Sequence, residues 1–354
     1  MAETSDRLLE TMMRRCFDLA RQGQGYTSPN PMVGSVLAVE DKVLSEGFHP
    51  RYRQIHAEAM ALNNARDVPH NILSQATLYV SLEPCFHYGF NPPCVDRILE
   101  SPVQNVVISC MDPNPLVAGK SIARLKASGR SVTLGILAEE GEQLIRAFRT
   151  RMTKERPYVV LKWAESNDGY MGKPGQNVRI SNDLSQVLTH RWRHELDAFL
   201  VGGKTVIVDN PQLNNRLYWG SSPHRIVYST HASLPVDRAI WKADCPTILF
   251  SVCKLPDIPD QVQQFELPAN RSEHLRFMLA TLMHFPINSL LVEGGPNTLQ
   301  SFIDQGMWDE VRIIRGRNQY LGSGLLAPTL RGRRTKRFDL GDDEVVTIFQ
   351  DNDW

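Results

Sequence analysis

A histidine followed two residues later by a glutamate, and then by two Pro-Cys pairs, limits what this chain can fold into more than any other feature. The histidine and the glutamate are His56 and Glu58, and the pairs end in Cys85 and Cys94. One imidazole and two thiolates are typical ligands of tetrahedral zinc, and three protein ligands leave the fourth position open. The fold must therefore bring three ligands that are distant in sequence to one point.

Glu58 is placed to move protons at such a metal. Zinc lowers the pKa of a bound water from roughly 16 to about 7, so that a nucleophile is available near neutral pH. A glutamate that is not a ligand is the general acid/base of zinc deaminases. The motif therefore predicts a catalytic zinc site with His56, Cys85 and Cys94 as ligands and Glu58 as the proton carrier. A closed structural zinc site and plain buried thiols are the alternatives.

The residues around the two cysteines predict elements that would hold the ligands. The apolar run 76–82 is typical of a strand and would deliver Cys85 at its end. Pro93 predicts a helix over 94–100 that carries Cys94, because the first turn is where a helix tolerates proline best. A strand end and a helix start are thus expected to meet at the metal.

The segment between the cysteines, residues 86–93, is longer than the two residues of the shortest zinc-deaminase signature. A loop of this length must bulge beside the metal, where it can contact additional groups of a substrate. His87 lies in this loop and is either a substrate contact or a packing residue. The loop makes a flipped nucleic-acid base the less favoured ligand.

Length and charge limit the classes of protein that remain. At 354 residues the chain fits two domains, and a formal net charge of zero argues against a protein built to bind nucleic acid or an anionic membrane. The dense basic run 331–337 is interpreted as a solvated loop. The polar start has no apolar signal region, no apolar run approaches the ~20 residues of a membrane helix, and the dispersed cysteines indicate reduced thiols. We therefore expect a cytoplasmic protein.

Strand and helix patterns alternate along both halves of the chain, which predicts an α/β protein. In the first half, predicted strands on both sides of the Cys94 helix favour parallel pairing. The charged run 148–157 separates two apolar segments and marks the predicted boundary. The predicted domains are therefore residues 1–150 and 151–354.

Four stretches of the sequence together resemble the bifunctional deaminase/reductase family of riboflavin biosynthesis. They are residues 28–34, 56–58, 83–94 and 111–119. The resemblance extends over nearly the whole chain and includes the order of the two halves. It implies a cytidine-deaminase-like three-layer N-terminal domain followed by a dihydrofolate-reductase-like α/β C-terminal domain.

The same resemblance implies an activity for each half. The first half, a zinc-dependent pyrimidine deaminase domain, would remove an exocyclic amine from 2,5-diamino-6-(5-phosphoribosylamino)pyrimidin-4-one. The second half, an NADPH-dependent reductase domain, would reduce the ribosyl group to ribityl. The implied cofactors are Zn²⁺ and NADPH, and the implied partner is the small-molecule phosphoribosylaminopyrimidine, without nucleic acid or membrane. A homo-oligomer is expected.

In the first half, the resemblance implies a substrate contact from Asn30, and the loop histidines His49 and His87 are further candidate contacts. Asn30 lies between two prolines, which would hold its amide in a fixed position. A turn asparagine and a loop histidine without a function are the alternatives for Asn30 and His49.

Two aromatic residues beside the predicted zinc site depart from the family pattern. The family commonly has a small or thiol residue after the first cysteine and a lysine or arginine in the following loop, whereas this chain has Phe86 and Phe90. The missing cation weakens the expected hold on the substrate phosphate. Arg51, Arg53 and Lys120 are candidate replacements.

Two glycine pairs in the second half, Gly202-Gly203 and Gly294-Gly295, each follow a predicted strand and precede a predicted helix. Such turns offer bare backbone amides to the pyrophosphate of a dinucleotide. Neither has the G-x-G-x-x-G pattern of a Rossmann fold. Lys162 lies within an apolar strand, where an ammonium is unfavourable without a partner, so an inward-facing Lys162 would be functional.

The resemblance implies further contacts in the second half. It places Thr205 and Asp209 on the cofactor side, where the glycine turn and the strand pattern already make Gly294, Gly295 and Lys162 candidates. The substrate-side residues are Arg193, Leu213, Arg216 and Glu293. Two positions depart from the family pattern: Arg179 replaces the usual tryptophan beside the cofactor, and Asn177 replaces the usual serine at the substrate. Arg179 can still stack on a ring or pair with the 2′-phosphate of NADPH.

Two other functions remain open. One is a zinc nucleoside or tRNA-base deaminase with a non-catalytic C-terminal binding domain. The other keeps the deaminase but limits the second half to binding a sugar phosphate or to dimerisation. Ammonia release and NADPH oxidation, followed separately, distinguish both from a bifunctional enzyme.

Overall fold

The computed structural model describes residues 2–115, 117–176, 178–242, 244–330 and 334–350. The chain divides into two units, residues 1–155 and 156–354. Each unit has a large sheet of its own. None of the helices in the described ranges combines the length and the apolar character that a membrane span requires.

The first unit contains a five-stranded sheet in the order β2-β1-β3-β4-β5. Its strands are β1 (Gly34–Val39), β2 (Lys42–Phe48), β3 (Thr77–Leu82), β4 (Asn105–Cys110) and β5 (Ser131–Leu134). Its helices are α1 (Ala2–Arg21), α2 (Ala57–Asn64), α3 (His70–Leu73), α4 (Cys94–Glu100), α5 (Lys120–Ala127), α6 (Ala138–Leu144) and α7 (Arg146–Lys154). β1 pairs antiparallel with β2 and β3, whereas β3, β4 and β5 are parallel.

Helices cover both faces of this sheet. Successive residues of a strand point to opposite sides, so neighbouring residues of the central strands show what packs on each face. Val36 and Tyr79 lie in one apolar cluster with Phe17 of α1. Leu37 and Leu78, their neighbours in sequence, lie in a second cluster with residues of α2, α4 and α5. The unit therefore has the predicted three layers, with helices on both sides of the sheet.

The second unit contains a nine-stranded sheet and a two-stranded ribbon. Its strands are β6 (Tyr158–Ser166), β7 (Tyr170–Gly172), β8 (Ala198–Gly202), β9 (His224–Ser229), β10 (Thr247–Ser251), β11 (Gln263–Glu266), β12 (Ser289–Val292), β13 (Glu310–Gly316), β14 (Leu325–Leu326), β15 (Arg334–Leu340) and β16 (Asp343–Phe349). Its helices are α8 (Asp183–Glu195), α9 (Gly203–Asp209), α10 (His274–Leu282) and α11 (Pro296–Asp304), with 3₁₀ turns at Ala239–Trp241 and Arg271–Glu273.

The large sheet runs in the order β11-β10-β9-β8-β12-β6-β13-β16-β15. All neighbours from β11 to β13 pair in parallel, and the last two strands are antiparallel. Every residue of β8 and β12 is buried, as expected for central strands of a parallel sheet covered on both faces. The carboxyl ends of β6, β8 and β12 therefore lie along the same edge of the sheet.

Two charged segments fold differently from the sequence-based interpretation. Helix α7 continues to Lys154 within the first unit, and it thus extends beyond the boundary predicted at residue 150. The interpretation of the basic run 331–337 as a loop is wrong for residues 334–337, which belong to the edge strand β15. Charged residues are common on edge strands because they discourage pairing with another chain. Residues 331–333 lie outside the described residues.

Candidate active sites

The three predicted zinc ligands come from three different elements and meet at one point. His56 immediately precedes α2, Cys85 follows β3, and Cys94 is the first residue of α4. The His56 Nδ1 atom lies 3.5 Å from the Cys85 Sγ atom and 3.4 Å from the Cys94 Sγ atom. All three ligand atoms lie within 4.8 Å of one another.

These separations fit a tetrahedral zinc ion. Zinc–sulfur bonds of about 2.3 Å and zinc–nitrogen bonds of about 2.0 Å at a tetrahedral angle place the two donor atoms about 3.5 Å apart. The Cys94 backbone N–H donates a hydrogen bond of 3.2 Å to the Cys85 sulfur. Hydrogen bonds from Cys94 and from His56 hold the pKa of the Cys85 thiol well below its usual range. The site thus favours the thiolate that binds metal.

Gly47 of β2 fixes the position of His56 by letting α2 lie directly on the strand. A Cβ atom at Gly47 would lie 2.3 Å from the Ala57 carbonyl oxygen and 2.6 Å from the Ala61 backbone nitrogen. Such distances are far below van der Waals contact, so only glycine fits at this position without moving the helix. Since Ala57 lies between His56 and Glu58, this contact positions both functional residues.

Glu58 lies in the first turn of α2 and is 3% exposed. Burial and the nearby Cys85 thiolate raise the pKa of Glu58 to about 7, although His56 opposes the shift. A carboxyl group in this environment can hold a proton or release it near neutral pH.

Asn30, His49 and His87 lie in the walls of the same cavity as His56, Glu58 and Cys85, and this cavity has a volume of about 450 Å³. The His49 Nδ1–H group donates to the Ile55 carbonyl oxygen at 2.9 Å, so Nε2 accepts from the Asn30 amide at 3.2 Å. Burial lowers the pKa of His49, which favours this neutral form. The structure thus brings the predicted contact residues together, while their roles stay predictions.

Several residues that line this cavity were not predicted from the sequence. Glu83, Asp112 and Asn114 line one side, and Phe148, Arg151 and Met152 of α7 line another. The signal for Glu83 was its position next to Pro84-Cys85 at the end of a predicted strand. No comparable signal marked α7, because its charged sequence was interpreted as a domain boundary.

The Glu83 carboxylate fixes the loop that leads into α5. It accepts hydrogen bonds from the backbone N–H groups of Gly119 at 2.9 Å, Ser121 at 3.2 Å and Asp112 at 3.3 Å. Backbone N–H groups at the start of a helix are otherwise without partners, and a carboxylate there is favourable. Glu83 therefore supports the part of the cavity wall that contains Asp112.

The second unit contains a partly buried charge cluster at the carboxyl edge of its sheet. Lys162 of β6 donates a hydrogen bond to Glu293, which follows β12, and Arg193 of α8 donates to the same carboxylate at 3.2 Å. Burial alone would raise the pKa of Glu293, but Lys162 and Arg193 hold this pKa at about 2. Lys162 thus faces inward and is paired, as the prediction of a functional lysine requires.

A cavity of about 600 Å³ adjoins this cluster. Lys162, Glu293, Gly294 and Arg179 are among the residues that line it. The Arg179 side chain pairs with Asp183 and also donates to the Ser181 carbonyl oxygen at 3.0 Å. The Arg179 side chain is 54% exposed, so it is accessible to a ligand.

The two glycine turns lie side by side. Gly202 ends β8 and Gly294 follows β12, and these two strands are parallel neighbours. A Cβ atom at either glycine would lie 2.9 Å from the Thr298 side chain of α11. The starts of α9 and α11 therefore meet at the same edge, where glycine allows the close packing of Thr298.

The other predicted residues of the second half lie outside the lining of this cavity, as far as the described residues show. They are Thr205 and Asp209 on α9, Leu213 and Arg216 in the following loop, Arg193 on α8, and Gly295 at the start of α11. Arg193 is joined to the cavity through Glu293. Asn177 lies outside the described residues.

His190 of α8 is a further buried residue that was missed. Its Nδ1 atom accepts a hydrogen bond of 3.1 Å from the Arg216 backbone N–H. Burial, with Arg193 and Arg216 nearby, lowers the pKa of His190 to about 4. The neutral ring therefore ties the loop of Leu213 and Arg216 to α8.

Two family models match the chain. Residues 6–110 match the cytidine and deoxycytidylate deaminase zinc-binding region, and residues 157–316 match the RibD C-terminal domain. The two matches are in the predicted order, and together with the structure they confirm the predicted fold class.

Curated relatives are similar over almost their whole length. Riboflavin biosynthesis protein RibD of Aquifex aeolicus is 34% identical over 348 residues, covering 94% of this chain and 96% of the relative. The RibD protein of Actinobacillus pleuropneumoniae is 32% identical over 350 residues, covering 96% of this chain and 88% of the relative.

Solved structures agree with these matches. The Thermotoga maritima diaminohydroxyphosphoribosylaminopyrimidine deaminase/5-amino-6-(5-phosphoribosylamino)uracil reductase superposes with a TM-score of 0.89 at 32% identity, covering 98% of this chain and 99% of that one. Acinetobacter baumannii RibD superposes with a TM-score of 0.87 at 31% identity, covering 97% and 99%.

The packing of Gly47 against α2 generates a prediction about the metal. In Gly47→Ala the new methyl group would meet the Ala57 carbonyl oxygen at 2.3 Å, so α2 must shift and carry His56 with it. We expect zinc affinity to fall about 10- to 100-fold, as when the support of a metal ligand is disturbed. Competition with a chromophoric chelator on folded protein measures this.

Gly89→Ala is the matched control, because it lies in the wall of the same cavity and a Cβ atom there meets nothing within 4 Å. It should bind zinc as the wild type does. Unchanged zinc affinity in Gly47→Ala would contradict the role of this contact.

Proposed function

We propose a substrate, cofactors and residue roles for each unit from one premise. The chain belongs to the RibD family and is a bifunctional deaminase/reductase of riboflavin biosynthesis. The substrate of the first unit is 2,5-diamino-6-(5-phosphoribosylamino)pyrimidin-4-one. The deaminated product is the substrate of the second unit, which uses NADPH. The observation that carries the proposal is the convergence of His56, Cys85 and Cys94 beside Glu58 in one cavity.

In the first unit, His56, Cys85 and Cys94 hold zinc, which when bound supplies a Lewis acid that makes water more acidic at the reacting centre. The reaction replaces a ring C–NH₂ group by C=O, consuming water and releasing ammonia. Glu58 takes a proton from water and gives one to the leaving amine. Its burial keeps bulk water away from this proton transfer.

Asn30 and His49 orient the pyrimidine ring. Their mutual hydrogen bond and the bond from His49 to the Ile55 carbonyl oxygen hold both side chains in the cavity wall. A contact residue that is fixed in this way positions a substrate with little loss of conformational entropy on binding. His87, on the exposed loop, contributes a contact from the other side of the cavity.

In the second unit, hydride transfer belongs to the cofactor, and the protein chiefly orients the two reactants. Lys162 and Arg179 contact NADPH beside the glycine turn at Gly294, which lets a dinucleotide approach the backbone. Glu293 and Arg193 contact the ribosyl phosphate arm, and their ion pair fixes both side chains. Thr205, Asp209, Leu213 and Arg216 complete the site from α9 and its following loop.

We also propose a cytoplasmic location and a homo-oligomeric state, both of which stay predictions. The alternative of a nucleoside or tRNA-base deaminase with a non-catalytic second half is set aside, because the relatives match over both units.

Glu58→Gln tests the first step. The amide cannot accept the proton from water, so ammonia release should fall about 10²- to 10⁴-fold. Zinc content and NADPH oxidation with the deaminated intermediate should not change, because the ligands and the second unit are untouched. Ammonia is measured by an enzymatic assay and zinc by metal analysis.

Glu100→Gln, an exposed glutamate at the end of α4, is the matched control and should keep full activity. Wild-type ammonia release from Glu58→Gln would refute the assignment of Glu58.

Glu293→Gln tests the second step. It removes the carboxylate that pairs with Lys162 and Arg193, so both cations lose their fixed positions. We expect NADPH oxidation with the deaminated intermediate to fall at least about 10-fold, as for other buried pairs that lose one partner. Ammonia release should stay at the wild-type rate.

Glu266→Gln, an exposed glutamate at the end of β11 in the same sheet, is the control for this variant. If Glu293→Gln oxidised NADPH at the wild-type rate, the charge cluster would have no part in the reductase.

A further inference from the structure

The first cavity contains cations that the zinc chemistry does not use. The substrate proposed for it carries a phosphate group at the end of its phosphoribosylamino arm. In the loop between the cysteines, the exposed residue Phe90 is aromatic and cannot pair with this phosphate. Two arginines are among the described residues that line the cavity, Arg53 and Arg151.

Arg53 is held at the rim of the cavity by two aromatic rings. Its guanidinium carbon lies 4.4 Å from the centre of the Phe90 ring and 5.3 Å from that of the Tyr52 ring. The two rings pack edge to face with their centres 6.1 Å apart. A cation–π contact at an exposed site contributes about 0.5–1 kcal/mol. A guanidinium that contacts rings still has N–H groups in its plane that donate to an anion.

The backbone at Arg53 indicates that its side chain is needed. Its φ is +67°, in the left-handed region where glycine is favoured and a residue with a Cβ atom is less stable by roughly 1 kcal/mol. The turn is closed by the Gln54 N–H group, which donates to the Arg51 carbonyl oxygen at 3.0 Å. Glycine would form this turn with less strain. Non-glycine residues in such a conformation are concentrated at ligand sites.

The position of Arg53 relative to the zinc ligands matches the shape of the substrate. The reacting amine must lie beside His56, which is half-buried, and Glu58, which is buried. The phosphate, at the far end of the substrate, must then lie toward the exposed part of the wall. Arg53 and Phe90 are exposed residues of that wall, as are His87 and Gly89.

We propose that Arg53, positioned by Phe90 and Tyr52, binds the substrate phosphate in the deaminase cavity and makes this unit specific for the phosphorylated substrate. The inference rests on the proposed deaminase function and assigns its phosphate site. Phe90 keeps a role in phosphate binding, because its ring holds the cation that it cannot itself supply.

Arg53→Gly is the direct test, since glycine removes the guanidinium and suits the backbone conformation. The KM for the phosphorylated substrate should rise about 10- to 100-fold, as expected when a charged hydrogen-bond pair is lost. The kcat for ammonia release should change less than about twofold. With the dephosphorylated riboside as substrate, the KM of variant and wild type should agree. Thermal stability should be equal or higher, because the strain is relieved.

Arg51→Ala is the matched control. Arg51 is an exposed arginine two residues away whose guanidinium lies over the Tyr26 ring at 5.0 Å, and it is not among the residues that line the cavity. Its KM for both substrates should equal that of the wild type.

A compensating variant sharpens the test. Phe90→Lys in the Arg53→Gly background places a cation next to the position that the Arg53 guanidinium occupied, and it should restore much of the lost affinity for the phosphorylated substrate only. Phe90→Leu in the wild-type background removes the ring contact and should raise the same KM about two- to fivefold.

Three results would overturn the assignment of Arg53. They are an unchanged KM in Arg53→Gly, an equal rise for the phosphorylated and dephosphorylated substrates, and a rise confined to Arg151→Ala, which would place the phosphate at α7. Wild-type protein that released no ammonia from either substrate would contradict the deaminase function itself, and the phosphate site with it.

Discussion

The convergence of His56, Cys85 and Cys94 at the carboxyl end of β3 is the constraint on which the first unit depends. A parallel β3–β4 pair with α4 between them brings the end of the strand and the start of the helix to one edge of the sheet. The donor separations of 3.4 and 3.5 Å leave little freedom for the surrounding elements. Gly47 below α2 and Glu83 below the α5 loop both serve to keep them in place.

The two units use glutamates in opposite ways. Glu58 is buried near a thiolate, so burial raises its pKa to about 7 and the group can exchange protons. Glu293 is flanked by Lys162 and Arg193, so its pKa is held at about 2 and it stays ionised at neutral pH. The same side chain thus suits proton transfer in one unit and fixed charge in the other, because its neighbours differ.

The sequence predicted the convergence of His56, Cys85 and Cys94, which the structure shows, because these residue types are tied to one chemistry. His56, Cys85 and Cys94 have few other reasons to occur with this spacing, and the strand and helix around the cysteines follow local patterns. By contrast, the charged sequence of α7 was interpreted only as a domain boundary. Its long polar side chains can cover apolar surface without showing an apolar pattern in the sequence. The packing of Thr298 between two glycine turns depends on strand neighbours that no local pattern specifies.

The central claim is an open zinc centre with three protein ligands in the first unit. X-ray absorption at the zinc edge of the purified full-length chain, combined with metal analysis, tests it most directly. The account predicts one zinc ion per chain with two sulfur neighbours at about 2.3 Å, one imidazole nitrogen at about 2.0 Å and one further light atom from solvent. Folded protein without zinc, or zinc closed by four protein ligands, would contradict it.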